Sequence, residues 1–303
     1  MIRVAIAGTG ALAHHIADCI AQDTPHQFII LSRSSDPVLS GKGYQVHTVD
    51  YDDSSSLEYA LTGVDTVIST IVGDPQLRLI EAAVAVGVRR FAPAEFEGPP
   101  AARGADLLDR GRSLALRRLR SLSQYMESTV FVCGIFYERF LPNGMYSQGL
   151  GVGSGLGGEG DYLMNVRTHQ AQIPHDNSTN LPVSLCMTSA QDVARFIVRA
   201  LDFPQWAEEL RMCGDRLSVL DLVAQAEHVK GQPFERSWYG PNALHDHLAF
   251  ARHVNDVGQQ YRMQALVATL EGCYDFPDSP LNSMVDFAPM PFATWLQQVW
   301  AGE

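Results

Sequence analysis

The first residues able to do chemistry are Gly8-Thr9-Gly10-Ala11-Leu12-Ala13, a G-x-G-x-x-A turn. Val4-Ala5-Ile6-Ala7 before it reads as a buried strand, and Leu12, Ile16, Cys19 and Ile20 recur at helical spacing after it. A turn in that setting can hold a dinucleotide. Gly8 permits the tight bend, Gly10 lets a pyrophosphate approach the backbone, and Ala13 is small enough for helix and strand to pack closely. The chain carries its own counter-example. Gly153-Ser154-Gly155-Leu156-Gly157-Gly158 fits G-x-G-x-x-G as well, but no helix follows it, so no helix N-terminus is there to hold phosphate.

The end of the second strand selects the dinucleotide. NAD enzymes usually carry Asp or Glu about 20 residues past the turn, accepting from the ribose 2′-hydroxyl. Here Phe28-Ile29-Ile30-Leu31 runs into Ser32-Arg33-Ser34, with no acid. Arg33 offers a planar donor fork for a phosphate, flanked by two hydroxyls. The predicted cofactor is NADP(H).

The elements that must position these groups are legible in the first 135 residues. Strand-like runs fall at 4–7, 28–31, 45–49, 66–70, 90–92 and 129–133, with helical segments between them. Asp74-Pro75 predicts an N-cap with proline at the first helical position, the helix running through Leu77, Ile80, Glu81 and Val84 to stop at Gly87. Such alternation predicts an α/β fold with a doubly wound parallel sheet. After Gly134 the texture changes. Residues 149–160 are glycine-rich and are expected to form a mobile lid. Ser189 is expected to cap a helix over 193–201, with Asp192 in its first turn, and Ser218 to cap another. A strand is expected at 210–213, a long helix at 257–271 and a short one at 292–300. The expected division is a nucleotide-binding domain at 1–142, with the helix 189–202 packed on it, and a smaller α+β substrate lobe at 143–303.

Composition narrows the function classes. The chain has 303 residues, net charge -12 and 46% hydrophobic residues, with no basic cluster, so nucleic acid is not an expected partner. Arg-rich residues 110–120 have helical spacing and read as a solvated face. No apolar run approaches a membrane span, and residues 2–7 read as a strand rather than a signal peptide. The five cysteines are scattered without a C-x-x-C pair, as in a reducing, cytoplasmic setting. His245-Asp246-His247 with His253 does not present a metal-binding face, because two histidines two apart point to different sides of a helix, and no metal is expected. No G-x-S-x-G elbow is present. Phe136, Tyr137, Phe140, Tyr146, Tyr162, Trp238 and Tyr239 either wall an apolar pocket or pack a core. A homo-oligomer is compatible with everything above.

Several stretches together resemble the NmrA-like and isoflavone-reductase-like proteins, atypical members of the short-chain dehydrogenase superfamily. They are the G-T-G-A-L-A turn, Arg33, Ile68-Ser69-Thr70-Ile71-Val72-Gly73 and above all Arg90-Phe91-Ala92-Pro93-Ala94-Glu95-Phe96, similar to the family's R-F-x-P-S-E-F-G. Gly134-Ile135-Phe136-Tyr137, Phe140-Leu141-Pro142 and the segment 189–200 extend the likeness. The resemblance implies a Rossmann-type domain binding NADP(H), closed by a C-terminal lobe that forms a substrate cleft. It implies that Gly8, Thr9, Gly10, Ala11, Leu12 and Ala13 hold the pyrophosphate, and that Ser32, Arg33 and Ser34 hold the 2′-phosphate. Thr70, Ile71 and Val72 would line the adenine and ribose side. Ala94, Glu95 and Phe96 would lie near the nicotinamide, with Gly134, Ile135, Phe136 and Tyr137 flanking the ring.

The chain also departs from the family. Its reductases carry a lysine on the helix after P-S-E-F-G, and that position falls on or near Ser113. The only lysines are Lys42 and Lys230, there is no Tyr-x-x-x-Lys pair, and the serine of P-S-E-F-G is Ala94. Three readings follow. The first is an NADPH-dependent reductase of an apolar aromatic or nitrogen-heterocyclic small molecule, with Glu95, Tyr137 and Ser113 as candidate catalytic residues. The second is an NADP(H)-sensing regulator that binds a partner protein. The third is a cyclase or isomerase that retains the nucleotide.

Overall fold

A computed structural model describes residues 1–104, 107–176, 178 and 181–301. The chain forms two compact units, each discontinuous in sequence. The first comprises Met1–Phe96, Asp109–Val132 and Val193–Leu210, and the second comprises Glu97–Leu108, Cys133–Asp192 and Arg211–Glu303. The chain first enters the second unit after Phe96, well before the boundary expected at 142, and the second unit is the larger of the two rather than the smaller.

The first unit is built on a parallel sheet of β1 (Arg3–Ala7), β2 (Gln27–Ser32), β3 (Val46–Thr48), β4 (Thr66–Ser69), β5 (Arg90–Ala92) and β6 (Glu127–Ser128), in the order β3-β2-β1-β4-β5-β6. Val4 pairs with Phe28 on one side and Thr66 on the other, and Ala7 pairs with Leu31 and Ser69. This is the doubly wound Rossmann order, with the strand sequence reversing between β1 and β4. The central strands are covered on both faces. They read as continuous apolar runs because Val4, Ala5, Ile6, Ala7, Ile30 and Leu31 are all fully buried.

The helices of this unit are α1 (Ala11–Asp23), α2 (Pro37–Gly41), α3 (Ser54–Leu61), α4 (Asp74–Ala85), α5 (Arg112–Ser121) and most of α6 (Ala190–Ala200). Leu57 and Leu61 of α3, Leu79, Ile80 and Ala83 of α4, and Ala115 and Leu119 of α5 share one core with Ala5, Ala7, Ile29, Leu31 and Phe91. Two expectations shift. Asp74 is the first helical residue of α4 and not its cap, because Gly73 carries the carbonyl that accepts from the Gln76 and Leu77 N–H groups. The run expected at 129–133 lies outside the parallel sheet. The preceding Glu127 and Ser128 pair with β5 instead, and the Val130 N–H donates to the Glu208 carbonyl, carrying β7 (Val130–Val132) onto β12 (Glu209–Arg211).

In the second unit β8 (Ile135–Phe136) lies parallel to β11 (Ser184–Thr188), which pairs antiparallel with β13 (Asp215–Ser218). A second small sheet joins β9 (Met164–Asn165), β10 (Gln170–Pro174) and β14 (Glu235–Tyr239). α7 (Val219–Lys230), α8 (Pro241–His253), α9 (Val257–Leu270) and α11 (Phe292–Trp300, after the one-turn α10, Leu281–Met284) supply Leu222, Leu244, Met263, Leu266, Phe292 and Leu296 to its core. Ser189 caps α6, its Oγ accepting the Asp192 N–H at 3.0 Å, and Ser218 caps α7 through the Asp221 N–H at 3.0 Å. Among the described residues no helix is long and apolar enough to cross a membrane.

The glycine-rich stretch expected to be a lid is held by packing. Gly158 N–H donates to the Asp161 carboxylate at 2.7 Å, and Arg139 donates to the Leu156 carbonyl at 2.8 Å. Leu150 and Leu156 are buried. A Cβ on Gly155, where φ is +74°, would lie 2.4 Å from the Tyr261 ring. Glycine is there to admit that ring, so Gly155→Ala should lower stability by about 1–3 kcal/mol from strain and overpacking. Thermal denaturation checks it; an unchanged melting temperature would restore the reading of a loose segment.

Candidate functional site

The pyrophosphate turn is built from close approach. Gly8 has φ +110°, and its N–H donates to the Leu31 carbonyl at 2.9 Å. A Cβ at this position would lie 2.3 Å from Thr70 Oγ1. Thr70 is itself fixed, its hydroxyl and its N–H both donating to the Ala7 carbonyl at 2.8 Å. The ends of β1 and β4 are thus tied together at the point where the strand order reverses. α1 begins at Gly10, which supplies no side-chain cap. Its first amide groups, from Ala11, Leu12 and Ala13, are therefore left for an anion such as a pyrophosphate. Ala13 is fully buried, as close packing of α1 requires.

At the end of β2, Ser32 is buried and its Oγ accepts the Ser34 N–H at 3.3 Å, whereas Arg33 and Ser34 are exposed. The nearest carboxylate in sequence, Asp36, caps α2 by accepting the Val38 and Leu39 N–H groups at 3.0 Å. Burial pushes the Tyr51 hydroxyl up to about 12, and the Arg33 guanidinium acts on it in the opposite sense. The arginine is the cation that β2 presents at this edge.

Around the ends of β4 and β5 the structure brings together residues that are far apart in sequence. Thr70, Ile71 and Val72 lead into Gly73, the N-cap of α4, at φ +77°. Gln76 is fully buried in the first turn of α4, and its Oε1 accepts the Ala94 N–H at 2.7 Å. Ala94 and Glu95 are buried and Phe96 is partly so, with the Glu95 N–H donating to the Pro93 carbonyl at 2.7 Å. α5 begins at Gly111, whose Cβ position is 3.7 Å from Gly73 Cα. Ser113 therefore lies in the turn of α5 beside the start of α4. Asp109 Oδ1 accepts both the Ser113 N–H at 3.1 Å and its hydroxyl. A serine hydroxyl paired with a carboxylate stands where the resemblance predicts a lysine.

Gly134, Ile135, Phe136 and Tyr137 belong to the second unit. Gly134, at φ +70°, admits the Cys186 carbonyl, from which a Cβ would lie 2.0 Å away. Tyr137, a candidate catalytic residue by sequence for positioning or proton donation, has its hydroxyl engaged within the second unit. It is fully buried, its hydroxyl donates to the Met290 carbonyl at 3.1 Å, and Phe292 and Trp295 pack on its ring at 5.1 and 5.5 Å. Burial first, and then Asp215, push its phenol far above the ordinary tyrosine range. Phe140 and Tyr162 share that core, whereas Tyr146 and Trp238 are exposed. The aromatic set is mainly packing.

Sequence reasoning missed Gln76 and Asp109. The first carried a signal, being a polar residue on the same buried stripe as Leu79, Ile80 and Ala83. The second lies four residues before Ser113, the distance at which side chains meet across a helical turn.

The comparisons with known proteins agree with this architecture. A model described as the NmrA-like family matches residues 2–275. Oxidoreductase BOA1 of Botryotinia fuckeliana is 31% identical over 259 residues, 77% of each chain. Oxidoreductase swnN of Metarhizium robertsii is 26% identical over 281 residues, 81% of this chain and 78% of the relative. Among solved structures, AtPrR2 with NADP+ and (+)pinoresinol superposes with a TM-score of 0.73 at 20% identity over 98% of both chains. The ternary complex of leucoanthocyanidin reductase from Vitis vinifera gives 0.71 at 20% identity, again over 98% of both.

Proposed function

We propose that this chain, which belongs to the NmrA-like family, is an oxidoreductase that uses NADPH to reduce an apolar, nitrogen-containing small molecule. The observation that carries the reading is the charge at the carboxyl edge of the first unit's sheet: an exposed arginine at the end of β2, and carboxylates without a lysine at β5 and α5. The relatives named oxidoreductases and the neighbour bound to NADP+ support the cofactor assignment.

Arg33 would hold the 2′-phosphate, and Gly8, Gly10 and the first turn of α1 the pyrophosphate. One charge-assisted contact is worth about 1.5–3 kcal/mol. Arg33→Ala is accordingly expected to weaken NADPH binding by about tenfold or more while leaving NADH unchanged. Fluorescence titration reads both, and equal losses for the two cofactors would remove the assignment.

NADPH, when bound, supplies hydride. Reduction of a ketone also places negative charge on oxygen, which a cation or a proton donor must meet. The only lysines are elsewhere: Lys42 pairs with Asp18 at 2.7 Å, and Lys230 lies over the Trp300 ring at 4.9 Å. Glu95 and Asp109 offer an alkoxide neither a positive charge nor, when ionised, a proton. An iminium ion suits such a site, because hydride addition at carbon neutralises it and no proton is needed. In this reading Glu95 acts through its charge, and the Asp109–Ser113 pair orders the first turn of α5. NADPH consumption with a cyclic imine should exceed that with the matched ketone, and Glu95→Gln should lower imine kcat/KM by about tenfold, the scale of one lost charge contact. Ketone turnover equal to or above imine turnover, with Glu95→Gln fully active, would overturn the substrate class.

A further inference from the structure

Gln76 is a fully buried polar side chain with one half used and the other not. Its Oε1 accepts the Ala94 N–H at 2.7 Å, whereas its Nε2 has no acceptor among the described residues. Leaving a buried donor without an acceptor is costly, and methionine could fill the same volume without that cost. The position narrows what could accept from it. α4 leaves the carboxyl end of β4, Ala94 follows the carboxyl end of β5, and these strands are neighbours through Ile68 and Ala92. The Gln76 amide therefore spans from α4 to the loop beyond β5.

In a sheet of this order a dinucleotide lies across the carboxyl ends of the strands, one half on each side of the switch point. Arg33 marks the β1–β2–β3 side as the adenosine half, which leaves β4 and β5 to the nicotinamide half. We propose that Gln76 Nε2 donates to an oxygen of the nicotinamide half of bound NADP(H), a carboxamide or ribose oxygen, while its Oε1 holds Ala94 in place. The inference rests on the NADP(H) reading above and adds a residue to it.

The test uses two probes of the whole protein. NADP+ carries both halves, and adenosine 2′,5′-bisphosphate carries only the adenosine half with its 2′-phosphate. Gln76→Glu keeps an oxygen for the Ala94 N–H and replaces the donor by an acceptor. It should weaken NADP+ binding at least tenfold and leave the bisphosphate unchanged, the latter also showing that the domain is folded. Should the buried carboxylate prevent folding, Gln76→Met serves instead: loss of the Ala94 bond lowers the melting temperature of the ligand-free protein, while the rise given by NADP+ shrinks and that given by the bisphosphate does not. NADP+ binding as in wild type for either folded variant overturns the proposal, the amide then meeting only internal water. Failure of the wild type to bind either probe overturns the NADP(H) reading itself, a result distinguishable from the first.

Discussion

Arg90→Met is expected to destabilise the first unit by about 3–4 kcal/mol, among the largest effects of any single change in this chain. Arg90 opens the Arg90-Phe91-Ala92-Pro93-Ala94-Glu95-Phe96 stretch and is turned into the protein. It is 1% exposed, and its Nε donates to Glu127 at 2.7 Å. Its Nη1 donates to the carbonyl of Leu201 at 3.3 Å, and its Nη2 to those of Phe203 at 2.7 Å and Pro204 at 2.8 Å. The guanidinium also lies over the Trp206 ring at 5.1 Å, and the second Glu127 oxygen accepts the Trp206 N–H at 2.7 Å. One side chain thus joins β5, β6 and the segment that leaves α6. Methionine fills the volume but strands three carbonyls and a carboxylate. Urea denaturation of Arg90→Met and of Arg90→Met with Glu127→Gln separates the parts. The double variant should be the less destabilised, because it removes the charge left without its partner. A single variant within about 1 kcal/mol of wild type, the range of an ordinary neutral hydrogen bond, would show that the network is not what fixes this edge.

The elements read correctly from sequence were those whose burial is local. β1, β2, β4 and β5 are covered on both faces, so their apolar runs stand out, and the Gly8 turn and Arg33 follow from them in chain order. The second unit hid its strands. Glu235-Arg236-Ser237-Trp238-Tyr239 is mostly exposed and shows no clean alternation, yet it pairs with 170–174 more than sixty positions earlier. Only the partner makes it a strand. The same holds for the site. Tyr137 faces a core because Met290 and Phe292, 153 positions away in the first case, supply its contacts. Only Ala94, eighteen positions on in the chain, marks Gln76 as more than a buried helix position. Glycine spacing could not separate a flexible loop from a packed one at 149–160, since the Tyr261 ring that requires Gly155 comes from α9.

Ionisation of Glu138 should cost about 2–3 kcal/mol of stability as pH rises from about 5 to 8, the free-energy scale of a pKa displaced this far. Glu138 is buried in the second unit, and both its oxygens accept the Ala190 N–H, at 3.0 and 3.1 Å, at the start of α6. Burial raises its pKa from 4.5 to about 7. Its own and the Ala190 N–H groups oppose the rise, and the neighbouring Asp192 carboxylate adds to it. The sign follows from the direction. A carboxyl with a raised pKa in the folded state holds its proton more tightly than in the unfolded chain. Below the ordinary value both states are protonated and nothing is lost; between that value and about 7 the unfolded chain ionises first and folding weakens. Above about 7 the whole penalty is present. Glu138→Gln retains an oxygen for the Ala190 N–H and carries no charge. Relative to wild type it should be close in stability at pH 5 and more stable by about 2–3 kcal/mol at pH 8. Chemical denaturation at the two pH values gives the difference. Parallel profiles for the two proteins would mean that Glu138 ionises at its ordinary value, with the α6 amide and the surrounding dipoles offsetting its burial in full.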